Sequence, residues 1–182
     1  GRLARAQVLV RLGDFEKAHI DVDFLSEFNQ VEHQVNEVRT NIEMAETLRQ
    51  VVDEAMSDGD YKTASNYLET LASISSHDVT VLSQRVQCSL QLGNKLAAIE
   101  HLKKVTTLQP NDYDSYFTLA NLHYELDDWR KALVEVRKCA DADLHKDCFQ
   151  FYKKLKKIDK AFEKAQRAKL SQDGELCVSE IE

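Results

Sequence analysis

A spacing of 34 residues runs through this chain. Gly59 to Gly93 is 34 residues and Gly93 to Asp127 is 34 again, within Asp58-Gly59-Asp60-Tyr61, Leu92-Gly93-Asn94-Lys95 and Leu126-Asp127-Asp128-Trp129. Leu12-Gly13-Asp14-Phe15 supplies a fourth copy of the same signal. Five residues after each of these positions stands an alanine: Ala18, Ala64, Ala98 and Ala132. Twelve residues before each alanine is a small or branched partner: Ala6, Val52, Val86 and Ala120. A fixed period of this length is the mark of a repeat architecture, and it restricts the possible folds more than any other feature of the chain.

The spacing predicts pairs of antiparallel helices joined by short turns, crossing so closely that only small side chains fit at the contact. Gly, or Asp in the last copy, ends the first helix of each pair, because it reaches the left-handed conformation at least cost. Phe15, Tyr61 and Trp129 are then placed to cover the turns, with the stem of Lys95 standing in for an aromatic in the third copy. In the second helices Ala64, Leu68 and Leu71, then Ala98, Leu102 and Val105, then Ala132, Val136 and Cys139, form buried stripes at helical spacing. Pro110, the sole proline, marks the end of one helix and the start of the next unit. Ser75-Ser76-His77-Asp78 reads as an inter-helix turn with an N-cap.

These motifs resemble tetratricopeptide repeats, over roughly residues 1 to 145. The resemblance implies an all-α fold, a right-handed superhelical solenoid of helix-turn-helix units with a concave inner face. One interval departs from the period: Ala18 to Ala64 is 46 residues, twelve more than a repeat. Twelve residues are about three helical turns. They are expected to lengthen the helix ending near Ser57. The chain then divides into the end of one repeat group (1–30), a three-repeat group opening with that extended helix (31–145), a capping or linking helix (146–170) and a disordered tail (171–182). The apolar stripe expected on the capping helix is Phe149, Tyr152, Leu155, Ile158, Phe162 and Ala165. Lysines from Lys153 to Lys169 crowd its other face. That basic face is expected to be solvated, with an acidic partner or RNA as alternatives, and no aromatic interleaves it to favour RNA.

Composition narrows the function. Acidic residues number 31 against 24 basic, a net charge of −7, which argues against a general nucleic-acid binder. No stretch reaches the roughly 18 apolar residues of a membrane span. The chain opens Gly1-Arg2-Leu3-Ala4-Arg5, without an initiator Met, and reads as an excised fragment. There is no phosphate-cradling glycine loop, no Gly-x-Ser-x-Gly elbow and no His-Glu-x-x-His helix, so no catalytic residue, cofactor site or metal site is assigned and an enzyme is not expected. Cys139 and Cys148 fall at the end of one helix and the start of the next, so a disulfide is geometrically possible; two buried thiols are the alternative, and zinc through His145 lacks the usual spacing. Cys88 is expected in the core and Cys177 in the tail.

In such repeats the inner face is lined by set positions of the first helix in each unit. Here these give a candidate protein-binding concave face of Arg49, Asp53, Met56, Gln87, Leu90, Phe117, Asn121 and Tyr124. Relatives that grip a chaperone's C-terminal carboxylate carry a basic residue and, four residues on, an asparagine. Arg49 is followed by Asp53 instead, so a carboxylate lacks its charge-assisted partners. Apolar Met56, Leu90, Phe117 and Tyr124 suit extended hydrophobic polypeptide, or simply pack between helices.

Cys139 through His145-Lys146-Asp147-Cys148-Phe149 to Lys157, together with Leu12 to Ala18, resembles the endoplasmic-reticulum DnaJ co-chaperones that carry tetratricopeptide repeats. That resemblance implies a Cys139–Cys148 disulfide and binding of unfolded or misfolded polypeptides in the lumen. It also implies a link to the Hsp70 chaperone BiP through a J domain whose His-Pro-Asp signature this sequence lacks, and to an eIF2-alpha kinase. The alternatives are an adaptor that docks a folded partner such as a kinase domain, and a cytoplasmic location.

Overall fold

In the computed structural model, residues 1–27, 32–140 and 146–170 are described. Among them are nine helices and no strand: α1 (Arg2–Leu12), α2 (Phe15–Leu25), α3 (Glu32–Ser57), α4 (Tyr61–Ile74), α5 (Val79–Gln91), α6 (Lys95–Leu108), α7 (Tyr113–Glu125), α8 (Trp129–Ala140) and α9 (Lys146–Leu170). Helices α1/α2, α3/α4, α5/α6 and α7/α8 pair as the four expected hairpins. The expected tail, Cys177 and His145 lie outside the described residues.

Each hairpin closes on the residue that the period singles out. Gly13, Gly59 and Gly93 have φ of 76°, 74° and 73°, and Asp127, at 59°, is the one non-glycine of positive φ among the described residues. Around each, two bonds close the helix end in a Schellman arrangement. Gly13 N–H donates to Val10 O and Asp14 N–H to Leu9 O, and the same pattern recurs at Gly59, Gly93 and Asp127. The residue that follows then opens the next helix. Asp14, Asp60, Asn94 and Asp128 each accept, through the side chain, the backbone N–H three residues on, at 3.1 to 3.3 Å. One dipeptide therefore ends one helix and starts the next.

All eight small positions are buried: seven are fully inaccessible and Val86 is 8 % exposed. An extra methylene at such a crossing forces the helices apart, which costs about 1–3 kcal/mol. Phe15 is buried over its turn, Tyr61 and Trp129 are half-buried, and Lys95 is exposed, so the third turn is the least covered.

The chain separates into two compact units, residues 1–108 and 109–182. In the first, Ala6, Val10, Ala18 and Val22 join α3 and α4 residues, with Val81 and Cys88 of α5, in one core. The long helix α3 buries Val35, Val38, Ile42, Ala45 and Val52, a seam at threes and fours running through its 26 residues. Its first half lies along α2, where Arg39 donates to Asp23 and Ser26. Asp21 of α2 is fully buried and is held by Arg5 at 2.5 and 2.6 Å and by Arg2 at 3.2 Å. The Arg5 hydrogen bonds keep its carboxyl below the usual carboxylate range.

In the second unit, α9 packs on α8, and Leu155 joins Ala132, Val136, Cys139 and Cys148 in the core. The stripe expected on α9 holds at Leu155, Ile158 and Ala165, with Tyr152 half-buried, and needs correction at its two phenylalanines. Phe149 is 48 % and Phe162 44 % exposed, since buried Cys148 takes the inward place at the start of the helix. The inward row is Cys148, Phe151, Leu155 and Ile158. Phe162 lies beside Trp129, with ring centroids 5.6 Å apart.

Gly13 and Gly59 share a conformation but not surroundings. A Cβ on Gly13 would overlap the side chains of Asp78 and Arg49, whereas one on Gly59 meets nothing within 4 Å. Gly59→Ala should therefore cost only the left-handed strain, about 1 kcal/mol, and Gly13→Ala clearly more. Urea unfolding of the two variants, followed by circular dichroism, checks the order.

Candidate functional site

The C-terminal end of α1 leaves carbonyls with no intrahelical partner, as every helix does. Here the α4–α5 corner and α3 supply the donors. Ser75 Oγ–H donates to Val10 O at 2.9 Å, His77 N–H to Arg11 O at 2.9 Å and Arg49 Nη2 to Gly13 O at 2.9 Å. The same Arg49 nitrogen pairs with Asp78, and its guanidinium lies 4.2 Å from the centroid of the Phe15 ring. Asp78, 5 % exposed in its side chain, also caps α5 by accepting from Thr80 N–H and Val81 N–H. One arginine thus ties two turns and an aromatic lid together.

Beside this tie is an open cleft of about 700 Å³. The candidates Arg49 and Asp53 line it, together with Asp14, Glu46, Thr80 and Gln84. Asp53 accepts from Gln84 Nε2 at 2.8 Å, and Lys17 holds the Asp14 carboxyl low. With Glu16 and Asp78 also present, five carboxylates face a single guanidinium that is already paired. A cleft of this charge repels a C-terminal carboxylate. Met56 is half-buried against the core of this unit; Gln87 is exposed and Leu90 is 37 % exposed.

In the second unit Phe117, Asn121 and Tyr124 of α7 are half-buried. Phe117 and Tyr124 meet edge-on a residue that was not among the candidates, Phe151, with ring centroids 6.1 and 5.5 Å away. Lys154 Nζ stands 4.7 Å from the Tyr124 centroid. The three rings form an amphipathic aromatic surface, partly spent on helix packing and partly open. The signal for Phe151 was available: starting the α9 stripe at Cys148, opposite Cys139, yields spacings of three, four and three through Phe151, Leu155 and Ile158. Cys139 and Cys148 are both fully buried, with Cα atoms 5.9 Å apart, the separation of a disulfide. Cys88 is a buried thiol in α5, whose pKa burial pushes up.

No group of three His, Cys, Asp or Glu among the described residues could hold a metal, and no described helix is long and apolar enough to cross a membrane. The zinc alternative falls on His145, outside the described residues.

The tetratricopeptide-repeat family model matches residues 80–112, which span α5 and α6. Over 91% of its length the chain is 28% identical to DnaJ homolog subfamily C member 3 of Gallus gallus. Over 69% of its length it is 26% identical to the tetratricopeptide repeat and J domain-containing co-chaperone DNJ1 of Fusarium oxysporum. The chain covers 34% and 24% of these relatives, so it spans about a third or less of their length. The crystal structure of the P58(IPK) tetratricopeptide-repeat domain superposes with a TM-score of 0.83 at 28% identity, over 96% of this chain and 49% of that one. The fold is therefore that of tetratricopeptide repeats, and along most of its length the chain is similar to co-chaperones.

If Arg49 serves as a tie, it and Asp78 are energetically coupled. A double-mutant cycle with Arg49→Ala and Asp78→Ala, read by urea unfolding, should give a coupling of about 1 kcal/mol or more, and Arg49→Lys should not restore it.

Proposed function

We propose that these repeats hold non-native polypeptide through apolar and aromatic surface: Met56 and Leu90 in the first unit, and Phe117 and Tyr124 in the second. The observation carrying this reading is the pairing of half-open rings in α7 and α9 with an acidic cleft unsuited to a carboxylate terminus. Side chains of this kind are sequence-tolerant, since Met and aromatic surfaces accept many apolar partners. Asn121, between the two α7 rings, offers a side-chain amide to a client backbone. In the first unit Gln87 offers an amide as well, and the Asp53 carboxylate accepts from a client N–H.

Similarity to co-chaperones along most of the chain supports placing the full-length protein in the endoplasmic-reticulum lumen. There it would pass clients to BiP through a J domain and have a link to an eIF2-alpha kinase. In an oxidising lumen Cys139 and Cys148 form a disulfide joining α8 to α9. Closing so short a loop stabilises by about 2–3 kcal/mol. Alkylation followed by mass spectrometry should find this pair protected in material from the secretory pathway. Cys139→Ser with Cys148→Ser should lower stability by that amount, and equal stability of the variant would remove the bridge from the account.

Fluorescence polarisation tests client holding. A labelled, permanently unfolded polypeptide should bind saturably, while its folded form and a chaperone C-terminal peptide should not. Leu90→Ser, Phe117→Ala and Tyr124→Ala should weaken binding severalfold, with folding checked by circular dichroism. Tight stoichiometric binding of the folded form would instead favour the adaptor that docks a folded partner such as a kinase domain.

A further inference from the structure

Helix α9 carries nine basic and three acidic side chains, a balance of +6 in a chain whose net charge is −7. Everything outside this one helix therefore sums to −13. Lys153, Lys156, Lys157 and Lys160 stand three and four residues apart, the spacings at which like charges on a helix repel. None of them forms an ion pair among the described residues. Ammonium groups rest over rings instead: Lys153 Nζ is 4.2 Å from the Phe149 centroid and Lys156 Nζ 5.4 Å from that of Tyr152. Phe149, taken from sequence as part of the buried stripe, is half-exposed amid these lysines. A shallow groove of about 630 Å³ runs along the same helix, with Gln150, Lys154 and the half-buried Ile158 in its lining.

We propose that this face of α9 docks an acidic, extended segment of a partner polypeptide. Carboxylates of the partner would lie on Lys153, Lys156 and Lys160, and an apolar side chain against Phe149. Charge complementarity selects the occupant: lysines are compact point charges on flexible stems, which suit carboxylates dispersed along an extended chain. The one arginine on α9, Arg167, is already on Glu163 at 3.5 Å. Phe162, the other exposed ring on α9, lies against Trp129 and Tyr152 is half-buried, so Phe149 has no succession of free platforms beside it for stacking bases. A membrane surface is disfavoured because the apolar side of α9, with Cys148 and Leu155 fully buried, is spent on the core of its own unit. This site does not depend on client holding: it uses the lysine charge and Phe149 of α9, while clients use Met56, Leu90 and the α7 rings that meet Phe151.

The test is a polarisation titration of the whole 182-residue chain with a labelled glutamate-rich peptide containing interspersed leucines. Beside it run the lysine-for-glutamate version of that peptide, an oligouridine and phosphatidylserine vesicles. Saturable binding of the acidic peptide alone is expected, weakening about tenfold or more as salt is raised to screen the contact. Lys153→Glu combined with Lys160→Glu should abolish it. The milder Lys153→Gln with Lys160→Gln should weaken it severalfold, so a folding defect in the first variant does not decide the matter. Phe149→Ala should weaken it without changing the salt dependence, and Leu90→Ser should leave it unchanged. The proposal is overturned if the basic peptide binds equally well, if oligouridine or vesicles bind more tightly, or if the glutamine variant binds as the parent does.

Discussion

Everything in this fold depends on how closely two helices can approach. Each hairpin carries an Ala or Val on its first helix and an Ala twelve residues on in its second, and all eight of these residues are buried. Such an approach leaves room for only a very short connection. The backbone must therefore reverse through a left-handed residue, and the following Asp or Asn must cap the new helix at once. Small residue, left-handed residue and cap are one geometric requirement expressed at three sequence positions. Once a hairpin meets it, its remaining apolar stripe has nowhere to go but against a neighbouring helix, which is the physical basis of repeat stacking.

Arg49 shows how that requirement reaches into the candidate site. By sequence it is a groove residue, free to meet a partner. In the structure it is committed to Gly13, Asp78 and Phe15, and so turns inner-face charge into a tie between corners of the first unit. What remains of the cleft is acidic. A similar exchange occurs in the second unit, where Phe117 and Tyr124 share their ring edges with Phe151. In each unit the candidate side chains are thus neither wholly free nor wholly spent, and the surface proposed for binding draws on side chains that also pack the unit.

Much of this was legible beforehand. The four hairpins, the buried small positions, the turn at Ser75 to Asp78, the break at Pro110 and the extension of α3 all rest on local rules or on the repeat period, which neighbouring residues enforce. The apolar stripe on α9 was legible at Leu155, Ile158 and Ala165 but not at its start. Phe149, Phe151 and Tyr152 offer competing starting points at helical spacing, and only pairing Cys148 with Cys139 across the α8–α9 contact chooses between them. Likewise, nothing near Arg49 in the sequence announces Asp78, 29 residues on, as its partner.

The sequence by itself determined where helices begin and end, because turns, caps and close crossings are contacts among residues at fixed short separations. It also determined the sign of the charge on each element, and hence the contrast between α9 and the rest. Only the tertiary structure decided which side chains remain available. Exposure depends on the rotation of each helix against its neighbours and on hydrogen bonds between distant turns. These are set by the sum of many packing contacts and by no single motif.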